Sequence, residues 1–520
     1  MSEYTDRLTD LYFEDLPCTR EVWTAKSKVR IALSEQGKML SFDQIVARYP
    51  SLDSVCTLGD FAPEKVTEWR ASGNRRDHVF SVLRFLVFFL YSLLYWLFVI
   101  FGTNFLWEEL SFPGSPFWWM VGVYLGVCVV YLRTLLGQKK KRKTRSSRII
   151  AALLVVALFF GGYALMSANL WYLQPYINSV PQIAHTFSAI EYDESSGVYT
   201  ITKTDDAFRI LHLTDIHLGG SVFSRTADLS ALKACFAEIN YAHPDLVIVT
   251  GDLCSPMGVM SLSFNNYTPI HQFSAFMRNV GIPWAFTYGN HDTERFASEK
   301  SDEIEAEFMS LSYQTSGTLL YPYVQPKITG RNNQLIEIRN ADGTLNSALF
   351  LLDSNAYTGE GLNAYDYIHD DQVDWYASET VRLEEKEGGS ISSLAFFHIP
   401  LTEYRTAYDL YLAGSGEVTY HFGKIGEERG GRISCSEYHS RLFEKMVELG
   451  STKGVFCGHD HYNNISLTYR GIRLTYGMSI DYLVMPGISR DTAQRGAEII
   501  TLRSDSSWEV EQIPLTSILY

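Results

Sequence analysis

The order of apolar and polar positions changes character twice along the chain. Up to residue 78 the pattern is mixed and mostly polar, with one stretch, 41–49, spaced like a short amphipathic helix. Three apolar runs follow at 79–101, 117–136 and 149–168. Each is close to the ~20 residues that a bilayer core demands of a spanning helix. Almost eighty residues precede the first run, which sets it apart from a signal peptide. From 170 to 204 the pattern reads as a connector containing Pro175 and Pro181, ending in an alternating strand-like stretch at 197–202. Beyond it, short apolar runs alternate with helix-spaced segments over 205–515. Buried strands are expected at 208–213, 246–250, 284–287, 394–397 and 454–457, and helices at 227–241, 371–385 and 437–449. Further strands are expected at 334–338, 348–352, 465–469, 472–476 and 498–502. The alternation is that of an α/β domain with antiparallel additions toward its end.

Charge orients the membrane segment. Lys139, Lys140, Lys141, Arg142, Lys143, Arg145 and Arg148 lie between the second and third runs, and Arg70, Arg75 and Arg76 precede the first. The loop between the first two carries Glu108 and Glu109 and no Lys or Arg. Basic loops stay on the cytoplasmic side. This predicts an integral cell-membrane protein with residues 1–78 in the cytoplasm and everything after 170 on the outer face. Trp107, Trp118, Trp119, Trp171 and Tyr172 fall at the opposite boundary, where an aromatic belt is expected. The 138–148 loop can also attract anionic lipid headgroups. A net charge of -15 disfavours a nucleic-acid partner. The seven cysteines contain no CxxC pair, against a disulfide scaffold or a cysteine-type zinc site.

Five clusters of metal-ligand residue types each follow one of the expected buried strands. They are Asp215-Ile216-His217, Gly251-Asp252, Gly289-Asn290-His291-Asp292, His398, and Gly458-His459-Asp460-His461. Alternate residues leaving a strand project to one side, so Asp215 and His217, or His459 and His461, can face a site together. Strand C-terminal ends share one edge of an α/β sheet, where such loops can converge. Imidazole nitrogen with carboxylate and amide oxygen suits two divalent cations such as Mn, Fe or Zn. Taken singly, each cluster reads as a turn, a surface accident or a core histidine; their joint order after five strands is what points to a site. His212, His243, His271, His369, His421 and His439 lack that setting and read as ordinary core or surface histidines.

The set Asp215/His217, Asp252, Asn290/His291, His398 and His459/His461 resembles the calcineurin-like metallophosphoesterase superfamily. Leu352-Asp353-Ser354-Asn355-Ala356-Tyr357, Phe396-Phe397-His398-Ile399-Pro400-Leu401 and the Asn463 after GHDH resemble its purple-acid-phosphatase-like subgroup. Ser255 stands where true purple acid phosphatases carry an iron-ligating tyrosine, and Asp215-Ile216-His217 replaces their Asp-x-Gly. The resemblance implies a four-layer α/β-β/α sandwich with two mixed sheets, here behind three transmembrane helices. It also implies hydrolysis of a phosphomonoester or phosphodiester by a metal-bridging hydroxide. In that scheme Asp215, His217 and His461 hold one cation, and Asn290, His398 and His459 hold the other. Asp252 bridges them, and His291 protonates the leaving oxygen or stabilises the transition state. Asp292 is expected either to orient His291 or to cap its loop. A catalytically degenerate binding or sensory protein on the same fold is the alternative.

Overall fold

The computed structural model describes residues 174–518 apart from short loop stretches, a pair of strands near the N-terminus, and helical stretches at 87–92, 124–126 and 128–129. The described residues fall in two compact units. One holds the antiparallel pair β1 (Thr19–Trp23) and β2 (Lys28–Ala32), with Thr19 opposite Ala32, and the helical stretches 87–92 and 128–129. The expected amphipathic segment 41–49 and the three apolar runs lie outside the described residues, except where those helical stretches fall within the first two runs. Among the described residues no helix is long and apolar enough to cross a membrane.

The other unit contains the α/β domain, built from two sheets. The first has five strands in the order β16-β15-β5-β6-β7: β5 (Ala207–Leu213), β6 (Leu246–Thr250), β7 (Trp284–Thr287), β15 (Gly496–Arg503) and β16 (Trp508–Pro514). Its β5, β6 and β7 are parallel, and β15 and β16 are added antiparallel. The second has nine strands, ordered β11-β13-β14-β12-β10-β9-β8-β4-β3. They are β3 (Phe187–Asp193), β4 (Val198–Lys203), β8 (Gln334–Arg339), β9 (Leu345–Leu351), β10 (Ser393–Phe396), β11 (Val418–Phe422), β12 (Thr452–Cys457), β13 (Ser466–Tyr469) and β14 (Ile472–Tyr476). Parallel and antiparallel pairs mix in it: β10 runs parallel to β9 and β12, while β8 and β9 are antiparallel.

Period-two alternation assigns the faces. In β5 and β6, Phe208, Ile210, Leu246 and Ile248 turn toward the second sheet. They meet Leu349, Leu351, Leu394 and Phe396 from β9 and β10. Leu211, Leu213, Val247 and Val249 turn the other way, onto α1 (Arg225–Ala242), α2 (Tyr267–Val280) and α3 (Ser301–Ser310). On the far side Phe350, Ala395, Phe397 and Val455 pack on α4 (Asp370–Glu387), α5 (Thr402–Leu412) and α6 (Leu442–Leu449). The order is helices, sheet, sheet, helices. Full burial of a Leu, Ile or Phe contributes about 1.5–3 kcal/mol, so the inter-sheet layer is a principal source of cohesion.

Two expectations need correction. The stretch 170–204 is only in part a connector: the strand expected at 197–202 is β4, which pairs in parallel with β8, and β3 precedes it from Phe187. Tyr199 and Ile201 are fully buried between the sheets, which anchors this hairpin to the domain. The helix expected at 437–449 begins only at Leu442. Upstream of it, Ser436 Oγ donates to Tyr365 O at 2.8 Å and Ser440 Oγ to Ile368 O at 2.6 Å, and these bonds tie the segment to another loop.

Candidate metal centre

The five clusters leave the C-terminal ends of β5, β6, β7, β10 and β12, three strands from one sheet and two from the other. Cross-links hold their loops together. The His217 N–H donates to Asp252 O at 2.9 Å, and the Gly458 N–H to His398 O at 3.0 Å. The Asp215 carboxylate accepts from the His459 N–H at 3.1 Å. Convergence is tight enough to require glycine. A Cβ on Gly251 would lie 2.4 Å from Gly289 N, one on Gly289 2.2 Å from Asp252 Oδ1, and one on Gly458 1.9 Å from Thr214 Oγ1. For Gly289 and Gly458 the requirement is space, whereas Gly251 also has φ +82°. The backbone is strained at the site: Asp215, His217, Asp252 and His459 have φ of +50°, +52°, +50° and +80°. Such conformations cost about 1–3 kcal/mol each in non-glycine residues and persist where surrounding structure dictates them.

All seven expected ligands are buried and meet in two adjoining groups. In the first, one ligand atom from each of Asp215, His217, Asp252 and His461 lies within 4.8 Å of the others. His217 Nε2 and His461 Nε2 face each other at 2.9 Å, and His461 Nε2 is 3.5 Å from Asp215 Oδ1. In the second, Asn290 Oδ1 lies 2.9 Å from His459 Nδ1 and 3.1 Å from His398 Nε2, and those two nitrogens are 3.3 Å apart. Asp252 Oδ2 stands between the groups, 3.7 Å from His217 Nε2 and 3.2 Å from His398 Nε2.

Outer partners aim the imidazoles. His398 Nδ1 lies 2.8 Å from Thr250 O, and a backbone carbonyl can only accept, so Nδ1 carries the proton and Nε2 turns inward as a lone-pair donor. His461 Nδ1 makes the same choice against Glu428 Oε1 at 2.9 Å. Burial opposes a charge on His398, but Asp252 outweighs it and lifts its pKa to about 9. Burial likewise opposes charge on His461, and Glu428 and Asp215 raise it well above the ordinary imidazole value. Burial pushes His217 down to about 3, so this facing pair shares one proton. Asp252 lies well below the usual carboxylate range, because His398 and His291 overcome the burial that would raise it. Lone-pair donors gathered at such spacings around two carboxylates, with outer acceptors fixing the tautomers, fit a pair of divalent cations.

His291 lies beside both groups and outside them. Its N–H donates to Asp252 Oδ1 at 2.8 Å, and its ring centroid is 5.5 Å from that of His217. Burial lowers its pKa, but Asp252 and Glu294 outweigh this and raise it. Asp292, of the two roles expected for it, takes the cap. Its carboxylate accepts the N–H groups of Gly289, Asp252 and Cys254 at 2.8, 2.9 and 3.1 Å. Burial, then the charge on Asp252, lifts its pKa to about 7. The partner of His291 is Glu294, whose Oε1 is 2.9 Å from Nδ1.

Sequence reasoning missed Glu294 and Glu428. His291 and Glu294 are three residues apart, a spacing that could have been weighed; Glu428 is 33 positions from His461 and gives no such signal. Of the other histidines, His212 is buried between the sheets, 2.8 Å from Thr250 Oγ1 and 3.2 Å from Glu498. His439 is exposed between Glu403 and Glu444. Tyr404 packs in the core, its hydroxyl donating to Val455 O or Thr475 O.

Residues 208–463, which include every ligand position, match the family model described as calcineurin-like phosphoesterase. That match, with the two mixed sheets and the buried ligand cluster, assigns the segment to the calcineurin-like metallophosphoesterase superfamily. Among its relatives is a protein of Arabidopsis thaliana named probable inactive purple acid phosphatase 14, 28% identical over 54% of this chain and 72% of its own. The Saccharomyces cerevisiae protein named Phosphatase DCR2 is 28% identical over 54% of this chain and 50% of its own. A crystal structure of a dimetal phosphatase from Danio rerio aligns with 60% of this chain and 97% of its own, at 10% identity and a TM-score of 0.39.

Proposed function

We propose that the protein is a membrane-anchored, dinuclear metal-dependent hydrolase of phosphate mono- or diesters. The carrying observation is the meeting of two complete ligand groups on either side of Asp252, with a non-ligand histidine, His291, at their edge. Asp215, His217 and His461 would hold one cation, Asn290, His398 and His459 the other, and Asp252 both. When bound, the two cations would supply Lewis-acid polarisation of the phosphate oxygens and acidify water. The chain's own part is to exclude bulk water from a buried site, hold the donors rigid on strained loops, and deliver a proton from His291 to the leaving oxygen. Ser255, in place of the tyrosine of purple acid phosphatases, favours Mn, Fe(II) or Zn over a ferric-tyrosinate centre.

The apolar runs at 79–101, 117–136 and 149–168 support anchoring in the cell membrane. The basic loop between the second and third supports a cytoplasmic N-terminus and an outward catalytic domain, and also contact with anionic headgroups.

The names of the Arabidopsis relatives include the word inactive, which favours a second reading, a binding or sensory module on the same fold. The intact ligand set favours catalysis. Full-length protein, supplied with Mn²⁺ or Zn²⁺, should hydrolyse 4-nitrophenyl phosphate or its phosphodiester analogue, and Asp252→Ala should abolish turnover without unfolding the domain. Near-normal turnover by Asp252→Ala would refute the assignment. A metal-loaded wild-type protein inert toward a broad phosphoester panel would instead favour the binding module.

A further inference from the structure

Next to the ligands lies a hydrogen-bonded chain that runs from His291 to one of them, Asn290. His291 Nδ1 is 2.9 Å from Glu294 Oε1, and the Tyr357 hydroxyl donates to that same oxygen at 3.3 Å. The hydroxyl in turn accepts from Asn290 Nδ2 at 3.0 Å. Glu294 and His291 are 7% and 4% exposed, so water competes little for these bonds. Tyr357 arrives from the loop after β9, in the nine-stranded sheet, whereas Asn290, His291 and Glu294 follow β7 in the other. One phenol therefore clamps the two halves of the site across the gap between sheets. Its loop is itself braced: Tyr357 pairs with Tyr365, and the Tyr365 and His459 rings meet edge to face with centroids 4.5 Å apart.

Each bond has a chemical consequence. A carboxylate can only accept, so Glu294 keeps the proton on Nδ1 of His291 and leaves Nε2 for the reacting atoms. A phenol that donates to Glu294 must accept from its other neighbour. That sets the Asn290 amide with Nδ2 outward and Oδ1 toward His398 and His459.

We propose that Glu294 and Tyr357 are positioning residues for the hydrolysis, Glu294 orienting His291 and Tyr357 locking Glu294 and the Asn290 amide into one arrangement. The inference rests on the phosphoester-hydrolase reading above. In that reaction one water is consumed. Its oxygen forms the new bond to phosphorus, and the bond to the leaving oxygen breaks with its electron pair. The leaving oxygen takes the proton from His291 Nε2, and the proton released by the water restores the imidazolium. Glu294 exchanges no proton; it holds the ring so that transfer is in line.

The test uses full-length, metal-loaded protein and aryl phosphates with leaving phenols running from acidic (4-nitrophenol) to weakly acidic (phenol). A poor leaving group needs its proton more. Glu294→Ala should therefore lower kcat about 10²-fold on phenyl phosphate, the low end of what a positioned general acid supplies, and under about tenfold on 4-nitrophenyl phosphate. KM and bound metal should change little. Glu294→Gln keeps an acceptor for Nδ1 and should recover part of the loss. In a His291→Ala background Glu294→Ala should cost nothing further, because its effect passes through that ring. Tyr357→Phe should reproduce a milder form of the Glu294→Ala pattern. Equal losses across all leaving groups, or losses that add to those of His291→Ala, would overturn the positioning roles while leaving hydrolysis intact. A wild-type protein inert on the whole series would overturn both readings.

Discussion

Glu428 offers a sharp test of the metal centre, because it touches a ligand without being one. Its Oε1 lies 2.9 Å from His461 Nδ1 and its Oε2 accepts the Tyr462 N–H at 3.1 Å, with the side chain only 8% exposed. With Glu428 in place, the proton that His461 keeps on binding a cation is the one on Nδ1, and the one it gives up is on Nε2. In Glu428→Ala the nearest fixed acceptor is gone and the proton can move to Nε2, where it opposes a cation. Losses of outer partners of this kind weaken metal binding about 10–100-fold, or about 1.4–2.8 kcal/mol. Truncation to alanine leaves room for water to replace part of the hydrogen bond, so the loss should sit near the tenfold end. Titration of metal-free protein with Mn²⁺ or Zn²⁺ against a competing chelator measures it directly. Glu428→Gln, which retains an acceptor oxygen, should recover most of the affinity. An unchanged affinity in a folded Glu428→Ala protein would falsify the claim that this contact sets the tautomer of His461.

Three further outcomes follow from the geometry. Metal affinity should fall as pH drops below about 9, roughly tenfold per unit for each displaced proton, because metal-free His398 is protonated below that value and must release its proton to bind; calorimetry in buffers of different ionisation enthalpy counts the protons released. Gly458→Ala places a methyl 1.9 Å from Thr214 Oγ1 and 2.7 Å from Asp215 Oδ2, and should cost about 1–3 kcal/mol of stability by thermal or denaturant melting, with loss of bound metal. Asp292→Asn replaces one of the two oxygens that accept the N–H groups of Asp252, Gly289 and Cys254 with a donor, and should lower stability by about 1–3 kcal/mol; a melting temperature equal to wild type would contradict the cap.

The ligand residues were legible in the sequence because the chemistry is local. An apolar run followed by Gly-Asp, Gly-Asn-His or Gly-His-x-His states both the strand and the group at its end. The strands at 246–250 and 284–287 were bounded to the residue for a related reason: burial on both faces makes a strand almost continuously apolar. The 41–49 segment and the apolar runs are read from pattern alone. The helix at Tyr267–Val280 was missed, its first turn carrying Pro269, a residue that fits a helix start but resembles a loop in the sequence.

The sequence by itself determined which side chains could bind cations, and that five strands would present them at one edge. Only the tertiary structure decided which partner completes each imidazole. Glu428 for His461, the Thr250 carbonyl for His398, and Tyr357 as the clamp on Glu294 depend on where separate loops come to rest. Hydrogen bonds of that kind join residues far apart in the chain and leave no period or spacing to read; they exist only once the two sheets have packed face to face and brought their loops within 3 Å or so of each other.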